Sequence, residues 1–158
     1  MRRSVIGVSL FVLLLLPHLA SGQGERARVG MKTVGNLEIT LYVWGPQEVI
    51  HPKGAGHPEP GPPATHHLDL RVYDLRRAIY VPYLNVKATI GDQMKREFTV
   101  DLAPMIGEWI HYGANITLPH PGRYAILVTV DPPDIARYKH LADAWNTRAE
   151  ALFEFDYR

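Results

Sequence analysis

The chain of 158 residues contains no cysteine. That absence removes disulfides, thiolate metal sites, iron–sulfur clusters and thiol nucleophiles together. It also removes the cysteine on which a lipoprotein carries its lipid, and the His₂Cys plane of a blue-copper electron carrier. Serine is nearly as scarce: Ser4, Ser9 and Ser21 are the whole supply, and all three lie within residues 1–22. Residues 23–158 therefore cannot run Ser-His-Asp or Cys-His chemistry, which excludes most secreted hydrolases. No charge of one sign is in excess, since 17 Lys and Arg face 16 Asp and Glu. Nucleic-acid binding needs a clustered basic surplus, so no nucleic-acid partner is expected.

What is present begins with a leader. Arg2 and Arg3 precede an apolar run from Val5 to Leu16, which Pro17-His18 breaks before Ala20-Ser21-Gly22. A positive start, a short apolar stretch and small residues at a cut site describe a secretory signal peptide over residues 1–22. The run is shorter than the roughly 20 apolar residues that span a bilayer. Residues 23–158 are then one exported domain, large enough to bury a core without disulfide staples.

From Val34 onward, short segments rich in β-branched and aromatic residues are separated by Gly and Pro. This patterning predicts strands at about residues 37–44, 66–73, 83–90, 98–102, 114–118, 124–130 and 152–157. Turn chemistry falls between them, at Gly91-Asp92, Pro121-Gly122 and Asp131-Pro132-Pro133. The expectation is an all-β fold, an antiparallel β-sandwich of about seven strands. Residues 23–30 read as a frayed polar tail, and residues 134–149 as one or two turns of helix with Asp134 at the N-cap. Residues 45–65 carry six Pro and four Gly and form one long loop, a kind of segment that is uncommon and often functional.

Seven histidines remain beyond the leader: His51, His57, His66, His67, His111, His120 and His140. Alternation along the strand at 66–73 sends Leu68, Leu70 and Val72 to the core and His67, Asp69, Arg71 and Tyr73 to an outer, solvated face. An imidazole and a carboxylate about 7 Å apart along a strand suit a metal site or a surface hydrogen bond. Pro104 and Gly107 flank Met105, which therefore belongs on a loop, where a thioether is either core filler or a soft ligand. His140 lies in a polar stretch and by itself reads as a surface residue.

Taken in order, these segments resemble the bacterial periplasmic high-affinity iron-transport proteins. The most specific element is His111-Tyr112-Gly113-Ala114-Asn115-Ile116, followed by Gly122-Arg123-Tyr124 and Asp131-Pro132-Pro133. Upstream, Val81-Pro82-Tyr83-Leu84 and His67-Leu68-Asp69 match further elements of that family. The resemblance implies an immunoglobulin-like, copper-binding homodimer in the periplasm that serves an inner-membrane iron permease. It implies a metal site of Met105, His111, His67 and His140, the last supplied from either subunit, with Asp69 as an additional or second-site ligand. The family's long loop often carries two methionines, whereas this one reads Ile50-His51-Pro52-Lys53-Gly54-Ala55-Gly56. Both thioethers of a second, softer site are absent, while His51 and His57 lie in or just beyond that stretch, and whether either forms a second site stays open.

Imidazole suits copper, iron and zinc, and a thioether favours Cu(I), so copper binds such a set tightest. Histidine binds metal when neutral, and affinity is expected to fall as pH drops through about 6.5. Two other classes compete with an iron-uptake protein that binds copper or iron and catalyses nothing. One is an exported adhesion or carbohydrate-binding module with Trp44, Trp109 and Tyr112 as stacking platforms. The other is a small metal-dependent oxidase of Fe(II) or Cu(I).

Overall fold

A computed structural model describes residues 26–50 and 63–158. The leader at 1–22, His51, His57 and most of the long loop lie outside the described residues. Nine strands form: β1 (Ala27–Val34), β2 (Leu37–Trp44), β3 (His66–Asp74), β4 (Ile79–Tyr80), β5 (Asn85–Asp92), β6 (Glu97–Ile106), β7 (Ile110–Ile116), β8 (Gly122–Asp131) and β9 (Ala149–Tyr157). Every pairing is antiparallel, in the order β1-β2-β3-β7-β6-β5-β8-β9, with β4 a short addition to β3.

β6 makes this path continuous. Its first part pairs with β5 up to Leu102, and its second pairs with β7 from Ala103 to Ile106. The two ends of the path approach each other where the Phe153 ring of β9 lies against Gly30 of β1. A Cβ built on Gly30 would stand 3.3 Å from that ring. The result is an antiparallel sheet curled into a nearly closed barrel around the inward residues of each strand. Ile39, Leu41, Leu68, Leu70, Ile126 and Val128 are fully buried at its centre. Alternation therefore does what the patterning predicts: the even residues of β3 and the odd residues of β2 enter the core.

Several expectations change. Residues 27–34 are strand and not tail, because β2 offers a free edge and its ladder orders a segment with little apolar pattern of its own. Residues 134–149 hold a single 3₁₀ turn, Lys139–Leu141, and no α-helix. Trp145 adopts a positive φ of 51°, a conformation that no helix continues through. Met105 lies in β6 and not on a loop. After Leu102 the strand has only β7 beside it, and proline is tolerated in a strand with one neighbour. The face of His67 and Asp69 is covered, not solvated: the two residues are 3% and 1% exposed. Tyr112 is buried at 2% and is no stacking platform.

Candidate metal centre

Directly paired residues in an antiparallel ladder share a face. His67 of β3 pairs with Asn115 of β7, Asp69 pairs with Gly113, and Met105 of β6 pairs with His111. The odd residues of β3, β6 and β7 therefore project to one side, with Trp44 and Tyr42 of β2 opposite His67 and Asp69. The even residues Tyr112, Leu68 and Leu70 project inward. In the hexapeptide 111–116, alternate side chains thus serve two purposes. His111, Gly113 and Asn115 build the outer face, while Tyr112 and Ile116 fill the core.

The His67 and His111 rings meet edge to face with centroids 6.1 Å apart. Gly113 makes that approach possible. A Cβ there would lie 2.8 Å from His67 Nε2 and 2.8 Å from the Leu68 carbonyl oxygen, so no larger residue fits beneath the imidazole. Gly107 plays a looser version of the same part for His111, whose Cε1 would be 3.1 Å from its Cβ.

Hydrogen bonds decide which nitrogen of each ring is available. The Asn115 amide is oriented by Gln47, whose N–H donates to Asn115 Oδ1 (3.1 Å) and whose carbonyl accepts from Asn115 Nδ2 (2.7 Å). Asn115 Oδ1 is therefore an acceptor, and the His67 Nδ1–H donates to it at 2.9 Å. His111 Nδ1–H likewise donates to the Trp109 carbonyl at 3.0 Å. In the neutral form of each ring these bonds hold the proton on Nδ1 and leave the lone pair on Nε2, as in histidine ligands whose outer partners fix the tautomer. Burial pushes the His67 pKa below its ordinary value, and neighbouring His111 acts the same way. The Asn115 hydrogen bond and Asp69 oppose them without reversing the result. A neutral imidazole is the form that binds metal.

Asp69 shares the face, and only one of its two oxygens is hydrogen-bonded. Its Oδ2 accepts from Arg26 Nη2 at 3.0 Å, and its Oδ1 lies 3.5 Å from Arg71 Nε. His140 sits exposed on the 3₁₀ turn, its ring stacked on Tyr138 with centroids 5.8 Å apart. The segment that carries it is pinned by Trp145, whose indole N–H donates to Asp74 (2.8 Å) at the opposite end of β3 from His67. Among the described residues, no three His, Asp or Glu gather into a metal-holding group. The structure thus brings His67, His111 and Met105 to one face, leaves Asp69 ion-paired beside them, and sets His140 on a separate loop. Gly113, Asn115 and Gln47 escaped the sequence reading, although alternation along 111–116 marks the first two.

His66 and His120 take no part in this face. His66 packs edge-on against Tyr157 and Phe155, and His120 is held by Arg96 and Tyr124 at the β5–β8 end. Tyr112 is structural: its hydroxyl donates to the Val81 carbonyl (2.6 Å) and accepts from the Leu84 N–H (3.0 Å). The Val81-Pro82-Tyr83-Leu84 element and the hexapeptide are therefore two halves of one contact.

Among solved structures, the chain is similar to FetP of uropathogenic Escherichia coli strain F11, expressed in the E. coli periplasm. The two are 20% identical with a TM-score of 0.69, over 84% of this chain and 96% of FetP. It is similar as well to copper-reconstituted P19 of Campylobacter jejuni, at 19% identity and a TM-score of 0.71, over 85% of this chain and 97% of P19. A copper-bound variant of FetP aligns at 21% identity and a TM-score of 0.70, over 84% of this chain and 97% of the variant. No curated protein sequence matches the chain. The model of the Fe2+ transport protein family matches residues 63–158, the stretch that carries His67, Met105, His111 and Asn115. By that match the chain belongs to the Fe2+ transport protein family.

Proposed function

We propose that this protein is a periplasmic metal-binding component of high-affinity iron uptake, exported by the leader at 1–22 and working with an inner-membrane iron permease. It holds a copper or iron ion through His67 Nε2, His111 Nε2 and the Met105 thioether. In a homodimer, His140 of the twin subunit completes the set, since within one chain its loop is anchored at the far end of β3. One observation carries the reading: two covered imidazoles on one face each direct Nδ1–H to a carbonyl oxygen, which in the neutral ring leaves the lone pair on Nε2. The half-buried Met105 stands directly across the ladder from His111. Copper in the similar FetP and P19 structures supports the choice of ion, and the family supports its service to iron uptake. Mixed imidazole and thioether donors hold copper most tightly, so the iron role is set by metal supply and the permease, not by affinity.

Metal analysis of protein purified from the periplasm tests this. Stoichiometric copper or iron is expected, lost in His111→Ala and reduced in Met105→Leu, with poor growth of a deletion strain under iron limitation. Metal-free protein whose melting temperature does not move with copper ions would refute it.

A further inference from the structure

β2 ends at Trp44, which pairs directly with His67 near the start of β3. By Gln47 the chain has reached past β3 to β7, where it meets Asn115. The segment is shaped by its own side chain, because Gln47 Nε2–H donates to the Gly45 carbonyl at 2.9 Å and closes a turn over 45–47. That turn presents one main-chain donor and one main-chain acceptor together to the Asn115 amide. Only one orientation of the amide suits both. Turned over, Asn115 would set its Nδ2–H against the Gln47 N–H and its Oδ1 against the Gln47 carbonyl, donor to donor and acceptor to acceptor. It would also offer His67 Nδ1 a hydrogen instead of a lone pair. In a neutral imidazole that moves the proton to Nε2, the nitrogen otherwise left for a metal.

We propose that Gln47 is a positioning residue of the metal site: its main chain sets the polarity of Asn115, and Asn115 sets which nitrogen of His67 carries the proton. The contacts run unbroken from Gly45 through Gln47 and Asn115 to His67. Coupling of this kind is reciprocal. A metal ion on His67 Nε2 requires the Nδ1–H form, and Asn115 accepts that proton only in the orientation that Gln47 holds. Occupancy of the site therefore tightens the attachment of segment 45–47 to β7, and loss of the attachment weakens metal binding by the same factor. This inference rests on the metal-site reading above. It goes beyond that reading by giving a function to a residue ahead of the stretch 63–158 that the family model matches.

The test uses Cu(I) as the probe, its affinity measured by competition with a chromogenic chelator without oxygen. In the unaltered protein, the Gln47 N–H should exchange with deuterium at least about threefold more slowly once Cu(I) is bound. Gln47→Ala removes the turn bond to Gly45 and should lower Cu(I) affinity about threefold to tenfold, the effect of losing one exposed hydrogen bond. In the metal-free form of that variant, ¹⁵N spectra should show the His67 proton shared between both ring nitrogens. Asn115→Asp supplies the control, because a carboxylate has two acceptor oxygens and no wrong orientation. In the Asn115→Asp background, Gln47→Ala should leave Cu(I) affinity unchanged within about twofold. A purely structural role for Gln47 predicts the same loss in both backgrounds. Equal losses in the two backgrounds, undiminished Cu(I) affinity in Gln47→Ala, or a Gln47 N–H whose exchange ignores Cu(I) would each overturn the proposal. The exchange measurement on the unaltered chain does not depend on how the variants fold. Full Cu(I) affinity in His111→Ala would instead refute the site reading itself, and this inference with it.

Discussion

Two small residues do most to shape the proposed site, and neither is a ligand. Gly113 has no conformational task, since its φ is not positive; its use is the space under His67. In Gly113→Ala the new methyl meets a backbone oxygen that cannot yield as well as the imidazole. The expected cost is about 1–3 kcal/mol of stability together with a displaced His67. Urea denaturation and copper titration on the same variant read the two effects separately. Asn115 acts through hydrogen bonding alone. In Asn115→Ala, His67 loses the acceptor that holds its proton on Nδ1, and copper affinity should fall about 10–100-fold. Because Asn115 is exposed, stability should change by only about 1 kcal/mol. Weaker metal binding at near-normal stability is the result that marks a positioning residue.

At the level of the strand, β7 is the element on which fold and site meet. Its outward residues build the proposed metal face and its inward ones enter the barrel, so neither set can slip without the other. Tyr112 ties this strand to the segment 81–84 through two buried backbone groups. Tyr112→Phe keeps the ring and removes the hydroxyl, leaving the Leu84 N–H and the Val81 carbonyl unpaired. The expected loss is about 2–3 kcal/mol, visible as a lower urea midpoint with an unchanged slope. β6 shows how an irregular residue is accommodated. Pro104 sits just past the point where β5 leaves, and the strand continues far enough to set Met105 opposite His111.

For the whole molecule, closure depends on contacts remote in sequence: Phe153 against Gly30, and the β8–β9 loop against the end of β3. Asp74 is the anchor of the second. It is 1% exposed and accepts from the Arg76 and Arg77 N–H groups, from the Arg77 guanidinium and from the Trp145 indole. Burial alone would raise its pKa; the hydrogen bonds outweigh that and hold it at about 2. A carboxylate with a depressed folded-state value stabilises fully above its unfolded value, near 4, and the stabilisation is lost as pH falls through 2. On the order of 2 kcal/mol should therefore disappear between about pH 4 and pH 2. Asp74→Asn should be less stable at pH 7 and lack that part of the acid dependence, as measured by chemical denaturation across the range.

The residues by themselves determined the all-β class, most strand positions and the inward faces of β2 and β3, because alternation is a local consequence of the pleat. They also carried the hexapeptide and the His-Leu-acid element that point to the family. They did not reveal β1, whose order comes from the edge of β2, or the covering of Asp69 by Arg26, 43 residues away. Which histidines meet was likewise beyond them. Met105 and His111 are brought together by a ladder register, and His67 joins them through a pairing across 48 residues. Register and closure are properties of the assembled sheet, since a strand's pattern states which side it buries but not which neighbour it finds. Tertiary structure decided which side chains share a face and that Arg26, just ahead of β1, reaches the buried Asp69.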